Sequence, residues 1–313
     1  MLWLAGLMGL LAVGALGVID MDGDSKDEAQ EDEARDTPDT ETEDAGDEDT
    51  DDDDVAPTPV QTLVTPDPAN VGTDANDLLY GSETNDVIQG GEGNDSIQGV
   101  DGDDTLAGDE GNDTIYGGSG DDSLTGGAGD DSLHGSAGDD VALGGDGDDA
   151  VHGGLGSDSL SGGAGEDTLF GGWGNDLLNG VEDDPETEAV DDTDEGDYLN
   201  GGGGDDVIIA GNDDTVTSGD GADTIVGGSW ITEGHAMDII DFDAADDNIL
   251  LIYEDDAEVP DISLQANPDD PQVMQVFMDG VVVANVLDGA HISIEDISIM
   301  PLSLAQSAGM APA

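Results

Sequence analysis

The sequence predicts an all-β repeat protein: a stack of short strands closed by a small β-rich C-terminal cap. An acidic linker and an apolar N-terminal helix precede the stack. Three observations carry this reading. A nonapeptide recurs without a gap from Gly72 to Asn179. Aliphatic runs bounded by turn residues follow Gly228. The 313 residues hold 79 Asp and Glu against 2 Lys and Arg, a net charge of −77.

The charge already excludes several functions. Both bases, Lys26 and Arg35, lie in the first 35 residues, so 278 residues follow without a basic side chain. Binding to nucleic-acid phosphates needs Lys and Arg to displace counterions, so no nucleic acid is a partner. The carboxylates have almost no side-chain cations to pair with, and adsorption to anionic lipid is disfavoured. A compact domain this acidic repels itself near neutral pH unless a cation binds it. A metal ion is the first suspect. Gly is 50 of 313 residues and aromatics are 3%, which argues against an ordinary large core over much of the chain. There is no Cys, so disulfides, thiolate zinc sites and cysteine nucleophiles are excluded.

Met1 to Ile19 carries no charged side chain. As a helix it would be about 28 Å long, close to the hydrocarbon thickness of a bilayer. The segment suits an uncleaved membrane anchor. Cleavage after Val13-Gly14-Ala15 is sterically acceptable, so a signal peptide is the alternative, although no Lys or Arg precedes the apolar run. Residues 20–71 read as a disordered linker. Asp20 to Asp54 holds 20 acidic and two basic residues, net −18, with no apolar periodicity. The Pro and Thr from Ala56 to Pro68 extend it in a stiffer form.

From Gly72 to Asn179 the sequence divides into 12 nonapeptides. Position 1 is Gly in all 12 and position 6 is Asp in all 12. Position 4 is Gly in 10, and position 8 is Leu, Ile or Val in 11, Ala142 being the exception. In the unit Gly117 to Thr125, the first six residues read as a turn and Ser123-Leu124-Thr125 as a short strand, with Leu124 facing inward beside Leu106, Leu133 and Leu160. One inward aliphatic per nine residues is too little burial to offset the ordering of the chain. An ion in the turns closes that gap. The Asp at position 6 supplies hard oxygen, Gly-rich turns expose carbonyls, and flexible all-oxygen sites suit Ca²⁺ better than Mg²⁺. Zinc would want His or Cys. His134, His152, His235 and His291 lack ligand spacing and read as surface or local packing residues.

After Asn179 the period loosens. Gly180 to Asn200 reads as one unit with an acidic insert of about residues 181–194, and Ala210 to Thr217 is one residue short. The repeat region is therefore 72–226. Residues 227–300 read as the β-rich cap, with strands at Met237 to Phe242, Asn248 to Tyr253 and Val273 to Met278. An Asp279-Gly280 hairpin leads into Val281 to Ala284, and a last strand lies between Ile292 and Ile299. Residues 301–313 read as a flexible tail.

The nonapeptides resemble the RTX, or hemolysin-type, calcium-binding repeat Gly-Gly-x-Gly-x-Asp-x-U-x, where U is a large aliphatic residue. That resemblance implies a parallel β-roll with two nonapeptides per coil, successive units in opposite sheets, and several Ca²⁺ ions between turns on the same side. The implied metal ligands are Asp77, Asp86, Asp95, Asp104, Asp113, Asp122, Asp131, Asp140, Asp149, Asp158, Asp167, Asp176, Asp197, Asp206 and Asp223. The departures from the pattern are Ala75 and Thr84 at position 4 and Ala142 at position 8. The end segment, through Asp238 to Phe242 and Asp247-Asn248-Ile249, resembles the region that follows such repeats in proteins exported by type I secretion. The secretion machinery is then an implied partner. An N-terminal anchor is not typical of that family, and a membrane partner enters only through residues 1–19.

No His-Glu-x-x-His and no Gly-x-Ser-x-Gly occurs, so the protease and lipase sites of such proteins are missing. The sequence reads as a non-enzymatic, calcium-binding protein, exported and extracellular or tethered at the cell surface. A hemolysin or toxin accessory, an adhesin, and a secreted hydrolase remnant are the alternatives.

Overall fold

Each nonapeptide makes one short parallel strand, and successive strands alternate between two sheets. In the computed structural model, which describes residues 60–63, 70–182, 192–193, 196–255, 257–289 and 291–311, Ser123–Ala128 lies between Thr105–Glu110 and Val141–Asp146. The next strand in sequence, Ser132–Ala137, lies in the opposite sheet between Thr114–Ser119 and Ala150–Leu155. Among the described residues the two sheets hold 13 and 11 strands. The result is an all-β parallel solenoid of about eight turns with almost no helix.

The core is two columns of position-8 side chains. Leu79, Ile97, Ile115, Leu133, Val151, Leu169, Leu199, Val216 and Ile239 align in one sheet. Ile88, Leu106, Leu124, Ala142, Leu160, Leu178, Ile208, Ile225 and Ile249 align in the other. All are buried, Ala142 included. The insert leaves this register intact. Leu169 pairs with Leu199 and Leu178 with Ile208 across it, because only the connection between strands grew.

The strands are longer, and the turns tighter, than the sequence suggests. Ser123–Ala128 and Ser132–Ala137 are separated by Gly129, Asp130 and Asp131 alone, so positions 1 to 3 belong to strands. Gly126, at position 1, is buried inside its strand. A Cβ there would collide with Oδ2 of Asp131 and the carbonyl of Gly144. Left-handed backbone is confined to the next positions, Gly127 at φ 125° and Gly129 at φ 124°. Ser136 occupies the same place as Gly127 and is held at φ 87°.

Two further expectations are corrected, and the cap is placed. Residues 20–71 are not all linker: Val60–Leu63 and Asn70–Val71 are strands that pair with Asp77–Tyr80 and with Ile88-Gln89. Aliphatic and β-branched residues let these segments cover the first edges of the sheets. The β-rich cap joins the stack directly: Met237–Ile239 and Asn248–Tyr253 continue both sheets by pairing in parallel with Thr215-Val216 and Thr224–Gly228. The hairpin at Asp279-Gly280 forms, both residues having positive φ, and joins Met274–Met278 to Val281–Val286. Finally, the 301–313 tail carries a helix, Leu302–Ala308, with Ala305 buried and Leu302 packed on the core. Gly309 at φ 72° ends that helix, its N–H bonding back to the last turn. The expected N-terminal helix at 1–19 and the acidic run at 20–54 lie outside the described residues. Among the described residues no helix is long and apolar enough to cross a membrane.

Two substitutions test this packing. Ser136→Gly removes about 1–2 kcal/mol of left-handed strain against about 0.5–1 kcal/mol of added chain entropy in the unfolded state. It should therefore raise stability by up to about 1 kcal/mol. Leu133→Ala should lower it by about 2–5 kcal/mol through the cavity it leaves. Urea unfolding in excess CaCl₂ measures both, and a destabilising Ser136→Gly would show that position 2 is not strained.

Candidate metal centre

The position-6 carboxylates stand in two columns, one along each line of turns. Each Asp donates its backbone N–H to Oδ1 of the Asp one coil further on. In one column Asp77 N reaches Asp95 Oδ1 at 2.7 Å, and the pattern runs through Asp113, Asp131, Asp149 and Asp167 to Asp197. In the other it runs from Asp86 through Asp104, Asp122, Asp140, Asp158, Asp176 and Asp206 to Asp223. All 15 of these carboxylates are buried. Strand pairing of the Asp-x-aliphatic segments brings them into line.

The second oxygen has a different environment. From Asp95 through Asp176, and again in Asp197, Asp206 and Asp223, Oδ2 is buried and has no hydrogen-bond partner. In regular units it faces the position-1 glycine of its own unit, beside a main-chain carbonyl of the next coil, as at Gly144, where Asp149 Oδ2 and the Gly162 carbonyl share the space a Cβ would fill. A buried, unpartnered carboxylate oxygen next to a carbonyl is a donor set for a hard cation. Among the described residues no three His, Asp or Glu side chains converge as metal ligands, so the remaining oxygens would come from main chain. The set fits an ion held by backbone-rich turns.

The first two units differ. Asp77 Oδ2 accepts from Thr73 N at 2.6 Å and Thr73 Oγ1 at 2.9 Å, and Asp86 Oδ2 from Ser82 N at 2.6 Å and Ser82 Oγ at 3.0 Å. A hydroxyl at position 2 there satisfies the oxygen that later units leave unpartnered.

Sequence reasoning missed two members of the columns. Asp197 N bonds to Asp214 Oδ1 at 2.9 Å, and Asp223 N to Asp247 Oδ1 at 3.1 Å. Asp214-Thr215-Val216 and Asp247-Asn248-Ile249 keep the Asp-x-aliphatic signature, but the period has slipped around both. An outer ladder was also missed. Position 5 is Asn or Asp in 10 of 12 units, and its exposed side chain accepts from the next coil, as when Asp139 N donates to Asp121 Oδ1 at 3.0 Å. The histidines take no part: His134 and His152 stack between Tyr116 and Phe170, ring centroids 4.8 Å apart. His235 pairs with Asp213 at 2.6 Å.

From Asp95 onward, burial pushes the column carboxyls upward, partly offset by the N–H each accepts. Asp95 and Asp113 rise from 3.8 to about 6, and Asp140 and Asp149 to about 7, with neighbouring column carboxylates adding to the rise. The sign follows from linkage. A raised folded-state pKa means the folded chain holds its protons longer than the unfolded chain, so stability is greatest in acid and is lost as pH rises from about 4 to about 7. Thermal melting in EGTA should show that decline. Asp140→Asn with Asp149→Asn should flatten it, and saturating Ca²⁺ should abolish it. A melting temperature that rises with pH in EGTA would contradict the burial of these carboxylates.

A family model for the RTX calcium-binding nonapeptide repeat (4 copies) matches residues 71–106, 98–133, 125–160, 152–184, 191–225 and 212–229. No curated protein matches the chain.

Proposed function

Through residues 71–229 the chain belongs to the RTX calcium-binding nonapeptide repeat family, and from that premise we propose a calcium-responsive, non-enzymatic protein that folds outside the cell. RTX repeats imply calcium binding. The observation that supports the rest is the column of buried, unpartnered Oδ2 atoms, in a chain whose two bases both precede the repeats. Bound calcium supplies the positive charge that the repeat sequence lacks.

The residues divide the work simply. The position-6 aspartates, Asp95 to Asp176 in every unit and then Asp197, Asp206 and Asp223, hold the ions. Their Oδ1 atoms tie each coil to the one before. Position-1 glycines leave room for Oδ2, and the aliphatic columns orient the strands. Without a cation, like charges oppose this stacking. Each ion that binds only the folded coil adds stability by mass action, about 2.7 kcal/mol at a hundredfold excess over its dissociation constant, and the ions act on one cooperative stack.

Low calcium would then keep the chain unfolded for export and higher calcium outside would fold it. The likeness of the end segment to type I secretion substrates favours that route. The absence of metalloprotease and lipase motifs from the sequence favours a non-enzymatic role.

Circular dichroism of the full chain tests the proposal. Ca²⁺ should induce strand signal, EGTA should reverse it, and Mg²⁺ at equal concentration should not replace Ca²⁺. Strand content unchanged by EGTA excludes calcium-dependent folding.

A further inference from the structure

The turn at the acidic insert differs from every regular turn, and it differs in charge. In regular units a position-1 glycine faces one carboxylate oxygen and one carbonyl, as at Gly99, Gly108 and Gly144. At Gly180 the two nearest polar atoms are both carboxylate oxygens. A Cβ there would lie 2.7 Å from Asp197 Oδ2 and 3.0 Å from Asp214 Oδ2. Two carboxylate oxygens from neighbouring coils therefore meet over one glycine. Asp197 is 2% exposed with Oδ2 unpartnered, and Asp214 is fully buried.

A third carboxylate adjoins them. Asp192, delivered by the insert, sits over Gly211. The Gly211 N–H donates to Asp214 Oδ2 at 2.7 Å, and the Asn212 N–H donates to the Asp192 carboxylate. Asn212 is itself anchored, its Nδ2 donating to the Asp192 carbonyl at 3.1 Å and its Oδ1 accepting from Thr232 N at 2.9 Å. Asp192 is thus held against the roll, its carboxylate over Gly211. Burial, then Asp214, push the Asp197 carboxyl up to about 9, and burial pushes Asp214 up to about 8. Both rises exceed those of Asp140 and Asp149, consistent with a local surplus of negative charge.

We infer that Asp197 and Asp214 form a distinct cation site of higher calcium affinity than the regular turns, with the Asp192 carboxylate adding negative charge from beside it rather than as a ligand. Calcium affinity in oxygen cages rises with the number of ligand charges and with rigidity. This turn has both: two carboxylate oxygens over one glycine, a third carboxylate alongside, and Asn212 holding Asp192 in place. It fills first on a rising calcium concentration and is the point from which the roll is ordered. The inference rests on the calcium-binding reading above and refines it by setting an order of filling.

Calorimetric titration of the full chain with CaCl₂ tests it. The wild-type chain should show a tight class of about one ion ahead of the remaining sites. Asp192→Asn keeps the acceptor for the Asn212 N–H but removes the charge, and should weaken that class by roughly tenfold while sparing the rest. Glu110→Gln, which removes one exposed charge in a regular unit, should leave the tight class unchanged. A tight class that survives Asp192→Asn unaltered, or that is weakened equally by Glu110→Gln, overturns the inference and leaves the calcium reading standing. Absence of any calcium heat in the wild-type chain, with no change in its circular dichroism, overturns the calcium reading itself.

Discussion

The fold depends on one constraint: a carboxylate is buried in every turn, in register with carboxylates above and below it. Each Oδ1 is held by the N–H of the preceding coil, at 2.7 to 2.9 Å along the regular repeats, so the columns and the strand register enforce one another. The invariant glycine at position 1 follows from the same constraint. It is needed less for turning the chain than for giving Oδ2 room inside a strand. Leu124 and its equivalents decide which way the strand faces, while the aspartates decide how coils stack.

The C-terminal end satisfies this geometry with different chemistry. Gly227 and Gly228, at positions 1 and 2 after the last repeat, are both buried and both face hydrocarbon. A Cβ on Gly227 would lie 2.9 Å from Met237 Cε and 3.0 Å from Ile231 Cδ1, and Trp230 fills the space over Gly228. The indole Nε1 donates to the Ala210 carbonyl at 2.9 Å, so a large apolar ring is buried without stranding its one polar atom. Leu250, Leu251, Ile252, Val276, Val283 and Val286 extend that core. The solenoid therefore passes from turns closed by carboxylates to an end closed by side-chain packing. Side-chain packing at that end gives the acidic coils an edge to stack on.

Much of this was legible in the period itself. Position 8 gave the core columns, and position 6 gave 15 of the buried carboxylates. What failed had local causes. Gly-Gly pairs have low strand propensity, so positions 1 to 3 read as turn, although the coils on either side supply their backbone partners. Asp214 and Asp247 were hidden because the spacing along the columns changes to 17 and 24 residues there, against 18 in the regular roll. The outer position-5 ladder carries a compositional signal, Asn and Asp in most units, but single-sequence reasoning has no reason to prefer a ladder over solvated turns. The helix Leu302–Ala308 has no side-chain N-cap and few residues, so only its packing announces it.

The acidic composition also divides along structural lines. Position-6 carboxylates are buried and lack cationic side chains, so a bound ion is their natural complement. Position-5 carboxylates such as Asp121, Asp130 and Asp139 are exposed, and they tie adjacent coils from outside by accepting backbone N–H groups. Water screens them, so they need no ion to persist. The two ladders run in opposite senses: position 6 accepts from the coil before and position 5 from the coil after. A pair of neighbouring acidic residues thus ties its turn in both directions along the stack. Adjacent Asp-Asp and Asn-Asp pairs recur because each member does a different job, and an acidic repeat of this kind is a bonding pattern before it is a charge reservoir.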